Sequence, residues 1–165
     1  MGKTNDNLRD AFAGESQANR KYLAFAKAAD DEGLPQVARL FRAAAEAETV
    51  HAMNHLKALN GINSTAENLQ EAISGETHEF KVMYPEMIEA AKAEGERDAL
   101  QSFNYANQVE QVHAGLYEAA LKNLGQEVDE YPYYVCPVCG YTSEVDPPST
   151  CPVCGTPGRM FKKIE

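Results

Sequence analysis

No stretch of this sequence approaches the roughly 18 consecutive apolar residues of a membrane span, and the opening Met1-Gly2-Lys3-Thr4-Asn5-Asp6 has no apolar signal-peptide core. These absences predict a cytoplasmic protein with no membrane partner. Basic residues are also scarce: 25 acids against 15 Lys and Arg give a net charge of −10 over 165 residues. With no basic stripe, such a surface repels phosphate backbones, which excludes a nucleic-acid partner. The acidity is uneven, with 22 acids and 12 bases in residues 1–130 and three of each in 131–165. Proline is nearly absent between residues 7 and 123, where only Pro35 and Pro85 occur, and no cysteine precedes Cys136.

At 44% hydrophobic and 24% charged, the chain is not disordered, and its length suits one domain with at most a small appendage. Residues 7–123 are rich in Ala, Glu, Gln, Lys and Leu, a helical composition. Leu8, Phe12, Tyr22, Leu23, Phe25 and Ala26 suit one face of a first helix, ended by Asp30-Asp31-Glu32-Gly33 with Gly33 as its left-handed cap. Pro35 opens a second helix that carries Val37, Leu40, Phe41, Ala44, Ala45 and Leu56 and ends near Gly61. Ser64-Thr65-Ala66-Glu67 reads as a capping box for a short connecting helix, which Gly75 should break. A third long helix over 76–93 would be kinked at Pro85, and a fourth over 96–124 would stop at Gly125. Four long amphipathic helices predict a bundle. After Leu124 the chain turns polar and then dense in Pro and Gly. The expected domains are therefore residues 1–130, a helical bundle with its linker, and residues 131–165, a small cysteine module.

The helical region repeats itself. Glu32-Gly33 recurs as Glu94-Gly95, Phe41 as Phe103, Val50 as Val112 and Ala52 as Ala114, all offset by 62, and Gly14-Glu15 recurs as Gly75-Glu76, offset by 61. A duplicated helix pair explains this and would place a site of repeated residues at the bundle centre. Glu48-Thr49-Val50-His51 and Glu110-Gln111-Val112-His113 each put Glu and His three apart, on one helix face, and they too are offset by 62. Glu15 and Glu76 are the repeated carboxylates of the first and third helices, and Glu79 lies one turn beyond Glu76. One Glu from each of two helices with Glu-x-x-His from each of the others is the inward-facing ligand pattern of ferritin-like dinuclear proteins. Five acids and two imidazoles converging without metal would be prohibitively unstable, whereas two cations neutralise them, and carboxylate with imidazole suits iron or manganese. His55 and His78 have no repeated partner and are expected outside the ligand set.

Cys136-Pro-Val-Cys139-Gly140-Tyr141 and Cys151-Pro-Val-Cys154-Gly155 form Cys-x2-Cys-x11-Cys-x2-Cys, the spacing of one tetrahedral four-thiolate site. In a chain with no secretion signal, this clustering points to metal rather than disulfides. About 35 residues bury too little apolar surface to fold unaided, so metal binding should supply much of the module's folding free energy. Four thiolates accept zinc, giving a structural ribbon, or iron, giving a one-electron carrier.

Gly14-Glu15-Ser16-Gln17-Ala18, Glu76-x-x-Glu79 followed by Met83-Tyr84-Pro85, both Glu-x-x-His pairs and the terminal cysteine module resemble the rubrerythrin family over essentially the whole chain. The resemblance implies a mainly α protein, a ferritin-like four-helix bundle with a C-terminal rubredoxin-like domain. It implies that Glu48 and Glu110 bridge two irons, that Glu15 is terminal on one, and that Glu76 and His113 complete the other. His51 and Glu79 would alternate at the first iron with redox state, and Tyr22 and Tyr84 would hydrogen-bond the ligating carboxylates. Gln111 departs from the family pattern, which often has a second Glu there, without touching a ligand. Tyr134 and Tyr141 beside the first knuckle resemble rubredoxin and favour iron over zinc at the cysteine site.

The implied activity is a peroxidase that reduces hydrogen peroxide to water. Its electrons would come from an external NAD(P)H-dependent reductase or rubredoxin and be relayed through the cysteine-bound iron. The resemblance also implies a head-to-tail homodimer, with the cysteine module of one subunit beside the di-iron site of the other. The connection between the second and third helices would equally permit helix exchange between protomers. Three alternatives compete with this reading. A ferroxidase or iron-handling protein would not need the cysteine module, a zinc-ribbon interaction protein would leave the repeated ligands to coincidence, and a manganese catalase would not need an external electron carrier.

Overall fold

The computed structural model describes residues 2–127 and 129–165. The helices are α1 (Lys3–Asp31), α2 (Pro35–Ala58), α3 (Thr65–His78), α4 (Tyr84–Glu94) and α5 (Arg97–Lys122). Their ends follow local chemistry. Past α1, Gly33 takes φ 75°, and the amides of Gly33 and Leu34 bond back to the carbonyls of Asp30 and Ala29, satisfying acceptors that a helix end leaves orphaned. Pro35 sits in the first turn of α2, where its missing N–H is not needed. Ser64 and Glu67 cap α3 reciprocally: the Glu67 amide donates to Ser64 Oγ, and the Ser64 amide donates to Glu67 Oε2.

The chain divides into two compact units, Met1–Asn63 and Ser64–Glu165. In the first, α1 and α2 form an antiparallel hairpin whose buried residues are mostly small: Ala26, Ala29, Ala38, Ala45 and Ala52. Small side chains at the contact let the two backbones approach closely. Tyr22, Phe25 and Phe41 cluster at one end, with ring centroids 5.5 to 6.3 Å apart.

In the second unit α5 packs against α3 and α4 and buries Ile88, Ala91, Val109 and Ala114. The sequence predicts a break at Gly75, but α3 runs straight through it to His78. A helical glycine costs only about 1 kcal/mol, which packing against α5 outweighs. The irregularity falls instead at Glu79–Met83, one turn of π-helix in which the Tyr84 amide reaches the Glu79 carbonyl. Pro85 follows at once. Its missing donor and bulky ring disrupt ordinary α-helical bonding upstream, and the wider turn absorbs the misfit.

After α5 the chain forms a three-stranded antiparallel sheet, β1 (Tyr133–Val135) flanked by β2 (Thr142–Glu144) and β3 (Lys162–Ile164). Tyr134 pairs with Ser143 on one side and Lys163 on the other. Its core is small: buried Cys136, Cys151 and Phe161, with Tyr134, Tyr141 and Val153 packed against them. The sheet belongs to the same compact unit as α3 to α5. Val109 of α5 is 2% exposed, and a β-carbon placed on Gly140 would meet its Cγ1 at 3.8 Å. Grouping by packing thus cuts the chain after Asn63, whereas secondary structure changes near residue 131. Among the described residues, no helix is long and apolar enough to cross a membrane.

Candidate metal centres

The i, i+3 spacing on α2 puts Glu48 and His51 side by side, and Glu15 of α1 completes a triad whose ligand atoms lie within 4.8 Å of one another. His51 Nδ1 is 2.8 Å from Glu48 Oε2 and 4.0 Å from Glu15 Oε1. Helix α5 and α3 build the same triad from Glu110, His113 and Glu76. There His113 Nδ1 is 2.8 Å from Glu110 Oε2 and 3.8 Å from Glu76 Oε1. Donors about 2.1 Å from a six-coordinate cation lie roughly 3 Å apart when adjacent and 4.2 Å apart when opposite, so both triads have the spacing of a coordination shell. Each pairs hard carboxylate oxygens with imidazole, a donor set suited to iron.

The neighbours of each triad differ. Buried Asn19, one turn beyond Glu15, donates to the Ala45 carbonyl at 2.7 Å and to Thr49 Oγ1 at 2.9 Å, tying α1 to α2 beside Glu48. Glu79 is close enough to Glu76 for their charges to repel, and it sits on the π-helical turn rather than in a triad. Burial first, and then the charge of Glu110, push the Glu76 carboxyl above its ordinary range, although His113 pulls the other way. Glu79 is raised by burial and then by Glu76, with His78 and His113 opposing. The Tyr84 phenol is raised by burial and by Glu110, Glu79 and Glu76, which puts it within electrostatic reach of all three carboxylates. Among the described residues neither the Tyr84 nor the Tyr22 hydroxyl hydrogen-bonds a carboxylate; Tyr84 packs on Phe103 at 6.3 Å and Tyr22 on Phe41 at 6.2 Å.

The four cysteines form no disulfide, and their sulfurs lie within 4.8 Å of one another. Cys136 and Cys154 are 3.5 Å apart at sulfur, as are Cys139 and Cys151. A tetrahedral metal with bonds of about 2.3 Å needs edges of about 3.8 Å, so a small expansion admits the ion. Both knuckles have one geometry: the glycine amide returns to the first cysteine carbonyl at 3.0 Å, Gly140 to Cys136 and Gly155 to Cys151. Gly140 and Gly155 take φ of 84° and 79°, which any side chain would strain. The thiols shift in opposite directions. Burial pushes Cys139 up, whereas at Cys154 burial is outweighed by hydrogen bonds from Thr156 and the neighbouring thiols, and its pKa falls to about 6.

The cysteine module lies beside a triad of its own chain. His113 Nε2 is 3.0 Å from Thr142 Oγ1 on β2, because the chain doubles back after α5 and lays that strand on the helix. Nothing in the sequence signals this contact between residues 29 apart. Asn19 left a faint signal, as a polar residue one turn from Glu15 on an apolar face.

Residues 6–121 match the family model described as rubrerythrin, and residues 134–162 match the rubrerythrin rubredoxin-like domain. The chain is 36% identical to rubrerythrin-2 of Clostridium acetobutylicum over 156 residues, 85% of each protein. It is 37% identical to nigerythrin of Nitratidesulfovibrio vulgaris over 155 residues, 86% of this chain and 76% of the relative. A solved structure of nigerythrin in its mixed-valent state superposes with a TM-score of 0.60 at 35% identity, covering 99% of this chain and 88% of that one. Another, of fully reduced, all-ferrous nigerythrin, gives 0.61 with the same identity and coverage. The fold is thus mainly helical and ferritin-like with a C-terminal rubredoxin-like knuckle module, and the chain carries a four-cysteine site together with Glu/His di-iron ligand sets. With both family regions matched in order and the ligand types in place, this chain belongs to the rubrerythrin family.

Proposed function

We propose that this protein is a peroxidase that reduces hydrogen peroxide to two water molecules, using two electrons and two protons. In this reading Glu48 and Glu110 would be shared by a pair of irons, Glu15 would hold one, and Glu76 and His113 the other, while His51 and Glu79 would alternate at the first. The observation that carries the reading is the presence in one chain of two matching Glu/His triads and a four-cysteine site. Iron storage would use the triads alone; a one-electron thiolate centre beside them has a purpose only if electrons are delivered repeatedly. Those electrons come from an external NAD(P)H-dependent reductase or rubredoxin.

When bound, the iron pair supplies one electron from each metal, so that the O–O bond is reduced without release of a radical. The residues manage protons and charge. Glu79 holds a proton more readily than an ordinary carboxylate, owing to burial and to Glu76. From the flank of the triad, its carboxyl oxygen can pass that proton to a departing oxygen. Tyr84, with its phenol held above its ordinary pKa, stays protonated at neutral pH and can donate a hydrogen bond to the same carboxylates. Cys154, with its depressed pKa, presents a thiolate to the terminal metal at neutral pH. Residues 1–130 form the reducing centre and residues 131–165 the relay, and the protein works as a cytoplasmic homodimer.

The test is elemental analysis combined with visible spectra of dithionite-reduced, desalted protein before and after stoichiometric peroxide. Three irons per chain and thiolate-to-ferric bands that return on peroxide addition are expected. One zinc per chain, no bands and no peroxide consumption would leave a structural ribbon on a helical scaffold.

A further inference from the structure

The two triads have the same ligands but unequal support. His51 is 54% exposed at its side chain, and among the described residues no hydrogen bond reaches its Nε2. His113 is 26% exposed, and its Nε2 lies 3.0 Å from Thr142 Oγ1. The direction of that bond follows from the hydroxyl's other partner. Thr142 Oγ1 donates its only proton to the Gly140 carbonyl at 3.1 Å, so toward the imidazole it can only accept. His113 therefore carries a proton on Nε2, which leaves Nδ1, 2.8 Å from Glu110 Oε2, as the nitrogen that a cation shared with that carboxylate would take.

The link continues into the knuckle. Gly140 is bonded to Cys139, and its amide donates to the Cys136 carbonyl at 3.0 Å. The contact of Gly140 with buried Val109 lays the same knuckle against α5. Leu69, Leu116, Tyr117 and Tyr133 line a largely apolar cavity of about 340 Å³ beside the His113–Thr142 pair.

We propose that Thr142 is a positioning residue: its hydroxyl accepts the Nε2 proton of His113, fixes that imidazole with Nδ1 toward Glu76 and Glu110, and joins the four-cysteine module to the triad through Gly140 and Cys139. The bond gives His113 a partner outside its own helix, so the ring is fixed by β2 as well as by α5. With iron in both sites, this link would offer a bonded route for an electron between the ion held by the four cysteines and the ion held by His113.

Two readouts test this, one of them independent of activity. In zinc-loaded protein with 15N-labelled histidine, the Nε2 proton of His113 should be resolved and exchange with water at least tenfold more slowly than that of His51. T142V should abolish the difference and T142S should restore it. In iron-loaded, dithionite-reduced protein given peroxide, the return of the thiolate-to-ferric bands should slow at least tenfold in T142V and recover in T142S. Equal proton protection in wild type and T142V, or T142S behaving like T142V, overturns the proposal. The kinetic arm rests on the peroxidase reading. If wild-type bands fail to return, that reading fails while the imidazole measurement still decides the role of Thr142.

Discussion

Cys154 and Thr156 are two positions apart, and the Thr156 hydroxyl lies 3.1 Å from the Cys154 sulfur. That hydroxyl, with the Thr156 backbone, brings the thiol to about 6 against the opposing effect of burial. Metal displaces the proton from each thiol it binds, so a lower thiol pKa gives tighter binding in mildly acid solution. T156V should weaken cobalt(II) affinity at pH 6.5 by on the order of tenfold, the equivalent of one pKa unit. At pH 8.5 the loss should be smaller. Equal affinity of variant and wild type at pH 6.5, by cobalt titration, would deny the hydroxyl this part. Carboxylates show the opposite sign. Glu76 and Glu79 have raised pKa values in the fold, so the folded chain binds more protons than the unfolded one between the ordinary carboxylate range and those raised values. Stability of metal-free protein should therefore fall as pH rises through that window. E76Q/E79Q should raise the melting temperature of metal-free protein at pH 7 and flatten its dependence on pH between 4.5 and 7. Thermal scans across that range check it, and an unchanged slope would show that these two carboxyls are not its source.

Helix ends and the i, i+3 ligand pairs could be read from the sequence because their causes are local. Gly33, Pro35 and the Ser64-Glu67 box each act within one turn, and Glu48-His51 and Glu110-His113 share a face whatever surrounds them. The repeat, 62 residues for these pairs and 61 for Gly14-Glu15, added the partner carboxylates Glu15 and Glu76. Long-range packing was not legible. Gly75 stays helical because α5 lies against α3, the strain of Pro85 spreads upstream into a π turn, and Thr142 meets His113 only because β2 folds back on α5. Asn19 shows only its polarity in the sequence, whereas in the fold its amide bridges α1 to Ala45 and Thr49 of α2. Substituting N19A removes both bonds and leaves a small void, which should cost about 1–3 kcal/mol. Urea unfolding of metal-free protein measures this directly. If the tie also fixes Glu15 relative to Glu48 and His51, N19A lowers metal affinity as well as stability. A variant as stable as wild type would mean that the α1–α2 contact is set by the alanine face alone.

Each compact unit of the chain carries one complete triad, Glu15, Glu48 and His51 in Met1–Asn63 and Glu76, Glu110 and His113 in Ser64–Glu165. Matched triads fit either of two metal arrangements, and charge arithmetic separates them. As two independent mononuclear sites, each triad presents two carboxylates and one imidazole to its own ion, and the loss of one Glu weakens that ion alone. As halves of one dinuclear centre, Glu48 and Glu110 each neutralise both cations, and removing either leaves two like charges under-compensated at close range. E48Q and E110Q keep the side-chain shape while deleting the charge. For a dinuclear centre each single variant should lose close to two irons per chain and keep the one at the cysteines, and the double variant should be no worse than either. Independent sites predict a loss of one iron in each single variant and two in the double. Elemental analysis of the three variants after anaerobic reconstitution distinguishes these patterns. The non-additive one is expected, since residues that share an ion couple strongly whichever helices supply them.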